Sequence, residues 1–172
     1  MPPIVTQIDA GILLFIQNNL RSSLLTQVCE FLSSYGVIVM AVYFVIMLIW
    51  DKRKIFPIAS ACVVGGLMGQ YITSYLKHLV KRPRPFLEIS ALVPLHRPKS
   101  YSFPSGHTVL AFSVAFIAYR ILPKKYSIPA LCIAALVAFS RLYMGVHYPT
   151  DILGGICVGY LVGFITEFLY KR

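Results

Sequence analysis

Residues 140–151 read Ser-Arg-Leu-Tyr-Met-Gly-Val-His-Tyr-Pro-Thr-Asp, and they place an arginine, a histidine and an aspartate between two apolar segments. Burying such groups is unfavourable unless they are paired, and charged residues at membrane depth usually serve function. Two other polar clusters precede this stretch, Lys77…Arg84-Pro85 and Pro104-Ser-Gly-His107. The three clusters supply cations, two histidines and a carboxylate, a set suited to phosphate chemistry.

The composition surrounding these clusters is that of a membrane protein. Of 172 residues, 58% are hydrophobic and only 13% are charged, whereas a soluble domain is about half apolar and about one quarter charged. We expect an all-α, polytopic transmembrane bundle that forms one domain over residues 1–172. The net charge of +10 does not indicate nucleic-acid binding, because the basic residues flank apolar runs, where membrane topology and anionic head groups account for them.

Five apolar runs are predicted to cross the bilayer, which requires about 20 residues per helix. They are 28–50, 55–76, 107–122, 128–143 and 152–169. The N-terminal region, 1–27, contains a further apolar run, 4–19, which Gln7, Asp9, Gln17 and Asn18 interrupt. We interpret it as an amphipathic interfacial helix, and a sixth span is the alternative.

Alternation of these spans places all the polar clusters at one membrane face. Lys77 ends the second span, Ser105 to His107 open the third, Arg141 lies at the end of the fourth, and Asp151 opens the fifth. The opposite face receives eight basic residues without a motif role, and the motif face receives five once Lys77, Arg84 and Arg141 are set aside. The positive-inside rule then places the motif face outside the cytoplasm.

The residue types themselves favour phosphate binding and covalent catalysis. Lys77, Arg84 and Arg141 can offset the charge of a phosphate, and arginine adds forked donors. Ser105 and Gly106 open a helix, whose free N–H groups bind anions. One histidine, His107 or His147, could attack phosphorus while the other protonates the leaving oxygen, and spacing alone does not decide between them. Asp151 could orient the ring of His147.

The three motifs resemble the signature of the type 2 phosphatidic acid phosphatase (PAP2) family. Lys77-x6-Arg84-Pro85, Pro104-Ser-Gly-His107 and Ser140-Arg-x5-His147-x3-Asp151 match it in order and spacing, within a core of residues 77–151. The resemblance implies a PAP2/haloperoxidase-like core in which His147 is the nucleophile, Asp151 orients it and His107 is the general acid and then the base. It also implies that Lys77, Arg84, Ser105, Gly106 and Arg141 hold the phosphate, with no metal or other cofactor.

We therefore expect a lipid phosphate phosphatase whose partners are its substrate and membrane lipids. The candidate substrates are undecaprenyl pyrophosphate, phosphatidylglycerol phosphate, phosphatidic acid and lipid A 1-phosphate. A lipid phosphotransferase and a non-enzymatic lipid-binding or transport protein are the alternatives. We expect a bacterial inner-membrane location with the site facing the periplasm or exterior. The oligomeric state is left open.

Residues outside the signature receive simpler interpretations. Lys81 and Arg82 are interpreted as snorkelling or head-group-contacting side chains. His78 is interpreted as an interfacial polar residue and His96 as a loop residue. Glycines spaced four apart, at 65 and 69 and at 155, 159 and 163, predict close helix packing, with a dimer face as the alternative. The loop 86–103 is either a solvated connection or an interfacial segment that admits a lipid sideways.

Overall fold

The computed structural model describes residues 4–50 and 55–170. Within these ranges the chain forms helices and no strand: α1 (Ile4–Leu20), α2 (Ser23–Trp50), α3 (Ile55–Val80), α4 (Pro85–Glu88), α5 (Gly106–Ile121), α6 (Lys124–Tyr143) and α7 (Pro149–Tyr170).

The five predicted spans correspond to α2, α3, α5, α6 and α7. Ser23–Met47, Lys124–Tyr143 and Pro149–Leu169 are each long and apolar enough to cross a membrane by length and composition, and α5 is apolar but shorter. Large apolar side chains such as Ile38, Leu67 and Phe164 are exposed on the outside of the bundle. Such surfaces are compatible with lipid rather than water, and the prediction of an all-α membrane bundle is confirmed. The basic residues predicted at 52–54, 171 and 172 lie outside the described residues.

Helix α5 is the centre of the bundle, packed against α2, α3, α6 and α7. Glycines on α7 allow the closest of these approaches. A Cβ atom at Gly159 would lie 2.8 Å from the Cβ of Phe112, and one at Gly163 would lie 2.7 Å from the Cβ of Phe116. The predicted small-residue packing is therefore confirmed as a contact between helices of the same chain.

Helix α1 lies across the motif end of the bundle. Asp9, near its start, bonds to Thr150 at the N-terminus of α7, and Gln17, near its end, bonds to Ala91 and Val93 in the loop after α4. Because both halves of α1 contact the same end of the bundle, its contacts match the interfacial interpretation and do not match a sixth span.

A tight turn between α6 and α7 brings the polar cluster of residues 140–151 together. Gly145 has a φ of 70°, a left-handed conformation that glycine adopts without steric penalty. Its N–H donates to Leu142 O at 2.9 Å, and the N–H of Val146 donates to Arg141 O at 3.3 Å. This pair of bonds is the Schellman arrangement of a helix C-terminus, and it places His147 directly after the end of α6.

Candidate active site

A cavity of about 860 Å³ opens at the motif end, between α2, α3, α5, α6 and the loop before α5. The structure brings six of the eight predicted site residues to its wall: Lys77, Arg84, Gly106, His107, Arg141 and His147. Residues 77 and 147 are far apart in sequence, and they meet because alternate helices end at the same face. The predicted convergence of the three motifs is thus present in the fold.

His147 is held between a cation and a carboxylate. Its Nε2 lies 3.2 Å from Arg84 Nη1, and its Nδ1 lies 3.4 Å from Asp151 Oδ2. A guanidinium only donates hydrogen bonds, so the Nε2 contact requires the lone pair of the ring to point at Arg84. The proton of neutral His147 is therefore on Nδ1, facing Asp151. The Nδ1–Oδ2 contact is too poorly aligned to be a hydrogen bond, and such catalytic contacts often tighten only when substrate binds.

His147 is uncharged at neutral pH. Burial lowers the pKa of its ring to about 3, and the neighbouring Asp151 opposes this shift while Arg84 adds to it. The side chain is 2% exposed, so its solvation as a cation would be poor. A neutral imidazole with its proton on Nδ1 has its lone pair on Nε2, and it can act as a nucleophile there once the contact with Arg84 is released.

Arg84 is held in place at the wall of the cavity by hydrogen bonds to its surroundings. Its Nε donates to Ser100 O at 2.8 Å, Nη1 donates to Val146 O at 2.8 Å, and Nη2 donates to Ser100 Oγ at 3.0 Å. Burial lowers its pKa to about 10, which leaves the guanidinium charged at neutral pH. With the contacts to His147 Nε2 and Tyr101 O, these bonds occupy the N–H groups of the guanidinium. In this conformation Arg84 therefore offers an anion its positive charge, and a forked contact would require it to exchange some of these bonds.

Arg141 and Lys77 add two more cations to the same wall. Arg141 is 5% exposed, its Nη1 donates to Ser33 Oγ on α2, and its buried Nε has no partner. Lys77 Nζ donates to Tyr101 O. An unpaired buried donor is unfavourable, and the Arg141 side chain would have to shift for its Nε, which solvent does not reach, to donate to an anion in the cavity.

The N-terminus of α5 forms another part of the wall. Gly106 and His107 line the cavity, and the N–H groups of a first helical turn have no partner within their helix. Ser105 is set back from the cavity: it is fully buried, and its hydroxyl accepts a bond from Thr108 Oγ1 at 2.9 Å. The helix start is therefore available to an anion through its backbone, and the Ser105 hydroxyl would have to move to reach one.

Asp151 lies behind His147 and is completely buried. Its Oδ2 accepts from Ser102 Oγ and from the N–H of Tyr148 at 2.9 Å, and its Oδ1 accepts from Arg82 Nη1 at 2.8 Å. The carboxylate is thus fixed by three donors besides the nearby imidazole, as a residue that orients the ring requires.

The interpretation of Arg82 as a snorkelling residue was wrong. Besides Asp151, it binds Asp9 through Nη2 at 2.9 Å, and its guanidinium lies 3.9 Å from the centre of the Tyr148 ring. Burial alone would lower the pKa of Arg82, but the bonds to Asp9 and the charge of Asp151 raise it above its ordinary value. One sequence signal pointed to a buried polar contact of α1 without naming its partner, namely an aspartate inside the apolar run of that helix.

The other two histidines, His78 and His96, also line the cavity. The sequence had indicated only an interfacial polar residue and a loop residue at these positions.

The loop before α5 contributes Leu95, Pro98 and Ser100 to the wall, and Gln17 and Arg21 bind its backbone at Ala91 and Val93. Part of the loop therefore belongs to the cavity wall, while other residues of it, such as Val93 and Arg97, are exposed.

A second, apolar cavity of about 230 Å³ lies between α2, α3 and α5. Val37 on α2 and Leu110 on α5 line both cavities. The rest of the apolar wall is Met40, Ala41, Phe44, Val45, Ile58, Ala59, Cys62, Val63, Ala111 and Val114. A polar, cationic cavity therefore adjoins an apolar one, with Val37 and Leu110 in the wall of both.

Within the described ranges, no three histidine, cysteine, aspartate or glutamate side chains cluster as a metal site would require. The four cysteines are unpaired thiols, Cys29, Cys62, Cys132 and Cys157. The donor set at the cavity is cationic and suits an anion.

Comparison with known proteins finds relatives whose names describe lipid phosphatases. The chain is 33% identical over 143 residues to the lipid A 4'-phosphatase of Porphyromonas gingivalis, covering 78% of this chain and 59% of the relative. It is 28% identical over 150 residues to the undecaprenyl-diphosphatase BcrC of Bacillus subtilis, covering 84% of this chain and 75% of the relative. The chain therefore spans about three fifths of the first relative and three quarters of the second.

A solved structure and a family model extend the similarity to the fold. The crystal structure of a transmembrane PAP2 type phosphatidylglycerolphosphate phosphatase from Bacillus subtilis superimposes with a TM-score of 0.78 at 26% identity, covering 99% of this chain and 88% of that one. The family model described as PAP2 superfamily matches residues 58–171, which include all three motifs. The chain is an integral membrane protein that belongs to the PAP2 superfamily.

Proposed function

We propose that this protein is a lipid phosphate phosphatase that hydrolyses the terminal phosphate of a lipid phosphate or diphosphate through a phosphohistidine at His147. The observation that carries the proposal is the position of His147 Nε2, 3.2 Å from Arg84 at the wall of a cavity lined by three basic side chains. A nucleophilic lone pair next to a phosphate-binding cation is the arrangement that phosphoryl transfer requires.

The proposed reaction has two steps. In the first, Nε2 of His147 attacks phosphorus, the bond from phosphorus to the lipid oxygen breaks, and His107 gives that oxygen a proton. In the second, His107 takes a proton from water, the water oxygen attacks phosphorus, and the bond from Nε2 to phosphorus breaks. Inorganic phosphate leaves, and both histidines return to their starting forms.

The cations around the cavity favour the phosphate in both steps. Lys77, Arg84 and Arg141 provide three positive charges against a phosphate of about two negative charges. The backbone of Gly106 at the start of α5 is a further donor for phosphate oxygens, and the buried, unpaired Nε of Arg141 becomes one when the side chain shifts toward the anion. Asp151 would stabilise the positive charge that develops on the ring of His147.

The adjoining apolar cavity supports a substrate that carries a hydrocarbon chain. A phosphate in the polar cavity would have its chain directed past Val37 and Leu110 into the space between α2 and α3. A soluble phosphate ester would leave that surface unused. The substrate candidates remain undecaprenyl pyrophosphate, phosphatidylglycerol phosphate, phosphatidic acid and lipid A 1-phosphate, and the similarity to relatives named for three different lipids supports the class rather than one member.

The test is phosphate release by purified protein in detergent from these four lipids and from a soluble phosphate monoester. We expect release from at least one lipid, undiminished by EDTA, and none from His147→Gln. His78→Gln is a matched control, because His78 is another histidine at the cavity wall but has no proposed role. Full activity of His147→Gln would refute the mechanism. Transfer of labelled phosphate to an acceptor lipid would instead favour a phosphotransferase, and binding without turnover would favour a binding or transport protein.

The location that we propose is the bacterial inner membrane, with the cavity facing the periplasm or exterior. The excess of basic residues at the opposite end supports this orientation. In variants without native cysteines, Lys99→Cys at the motif end should react with a membrane-impermeant maleimide on intact spheroplasts. Lys125→Cys at the opposite end should react only after lysis, and the reverse pattern would overturn the orientation.

A further inference from the structure

A series of ion pairs connects α1 to Asp151, the carboxylate that lies behind His147. Arg82 bridges two carboxylates: its Nη1 lies 2.8 Å from Asp151 Oδ1, and its Nη2 lies 2.9 Å from Asp9 Oδ2. Thr150 completes the link, because its N–H donates to Asp9 Oδ1 at 3.1 Å and its Oγ1 accepts from Arg82 at 2.6 Å. None of these residues is among those that line the cavity.

The burial of this cluster makes its charge balance important. Asp9 is 1% exposed and Asp151 is 0% exposed, so water screens their charges poorly. Arg82 alone would neutralise Asp151. With Asp9 present, the guanidinium is shared between two carboxylates, and the three groups together keep one net negative charge beside His147.

We propose that Asp9 and Arg82 are positioning residues for His147, acting through Asp151. This inference rests on the proposed role of His147 as nucleophile. Arg82 occupies Oδ1 and thereby holds Oδ2 toward His147 Nδ1. Asp9 balances the charge of Arg82, so that Asp151 stays negative enough to stabilise a cationic phosphohistidine. The interfacial helix α1 therefore helps to position Asp151 and His147.

A purely structural role for Asp9, as an anchor that docks α1, makes a different prediction. Anchoring would affect folding and would act on the enzyme independently of Asp151. Leu13→Ala separates the two roles, because Leu13 is a buried residue of α1 that packs with Leu92 and Tyr148 and carries no charge. It should lower the unfolding temperature while leaving kcat unchanged below that temperature.

The decisive experiment is a double-mutant cycle on phosphate release with Asp9→Asn, Asp151→Asn and the combined variant. We expect Asp9→Asn to lower kcat by at least about 10-fold with KM unchanged. In the Asp151→Asn background, Asp9→Asn should lower kcat by a smaller factor than in the wild type, because the carboxylate through which it acts is already neutral. An unchanged kcat in Asp9→Asn, or losses that multiply in the combined variant, would overturn the inference.

Glu167→Gln is the matched control. Glu167 binds Arg120 at the opposite end of the bundle, and the side chain of Arg120 is 22% exposed, as that of Arg82 is. This control removes a carboxylate from a comparable arginine pair that is remote from His147, and it should leave kcat unchanged. Arg82→Lys should restore part of the activity that Arg82→Gln loses, since it keeps the charge but not the fork.

A second measurement does not depend on turnover. The Nδ1–H proton of His147, observed by ¹⁵N-edited NMR of the full chain, should move upfield in Asp9→Asn and Asp151→Asn and remain in place in Glu167→Gln. An unmoved signal in Asp9→Asn would contradict the coupling. If the wild type releases no phosphate from any lipid, the proposed function fails, and this resonance still decides whether Asp9 acts on His147.

Discussion

The loss of charge in Asp151→Asn tests the electrostatic design of the site. Asparagine keeps the shape of the side chain and one oxygen acceptor but removes the negative charge near His147. The charge pair of Asp151 Oδ2 and a cationic His147 Nδ1 is separated by 3.4 Å, which corresponds to ~5 kcal/mol at an effective dielectric constant of about 20. Because both side chains are almost completely buried, little solvent screening reduces this value.

That energy applies to the state in which the ring carries positive charge, and not to the neutral ring of the resting protein. Each ~1.4 kcal/mol corresponds to a tenfold change in rate, so kcat should fall by about three orders of magnitude while KM changes little. The assay is single-turnover phosphate release in detergent, with thermal unfolding as the check on folding. A fall in kcat of less than about tenfold in a folded variant would refute the electrostatic role of Asp151.

Three further predictions concern stability and binding. The pKa of His147 lies near 3 in the folded protein and near ~6.5 when unfolded, so the unfolded chain binds more protons between these values. As pH falls below about 6.5, the stability of the wild type relative to His147→Gln should therefore decrease by up to ~1.4 kcal/mol per pH unit. Chemical denaturation in detergent measures this difference, and a difference that is constant with pH would contradict a neutral buried ring. Gly159→Ala should lower the free energy of unfolding by about 1–3 kcal/mol, because the new methyl would lie 2.9 Å from the backbone N of Ser113. The control Gly11→Ala meets nothing within 4 Å and should be neutral or stabilising. Equal shifts in the unfolding temperatures of the two variants would contradict the packing of α5 on α7. Arg141→Lys should weaken inhibition by orthovanadate at least about tenfold, because it removes the forked donors while keeping the charge, and unchanged inhibition would remove Arg141 from the anion site.

The membrane bundle and most of the site follow from local sequence patterns. Apolar runs of bilayer length predict helices, and the alternation of those helices is sufficient to bring Lys77, His107 and His147 to one end. These inferences need only the order of the segments and the direction of each helix. The tight turn at Gly145 that presents His147 is also consistent with the sequence, since glycine directly follows the end of the apolar run of α6.

The pairing of Asp9 with Arg82, which holds Asp151, could not be predicted from local sequence patterns. Asp9 and Arg82 are 73 residues apart, and their pairing depends on how α1 docks across the bundle end, which periodicity does not specify. Asp9 was visible as a polar interruption of an apolar run, but its partner was not. The burial of Ser105 is also a result of packing, because its place at a helix start does not specify that the hydroxyl pairs with Thr108.

The adjacency of the polar and apolar cavities is likewise a property of the folded bundle. Val37 on α2 and Leu110 on α5 are far apart in sequence, and they line both spaces because the two helices pack together. No motif marks these positions, because the requirement is for apolar surface and open volume rather than for a particular side chain.

The central claim is that His147 carries the phosphoryl group during turnover. It is tested most directly by rapid quenching of the purified protein with a ³²P-labelled lipid phosphate, followed by peptide mapping under alkaline conditions that preserve phosphohistidine. The account predicts an acid-labile, alkali-stable label on the peptide that contains His147, present in the wild type and in His78→Gln and absent from His147→Gln. Label on another residue, or lipid hydrolysis that persists in His147→Gln, would contradict it.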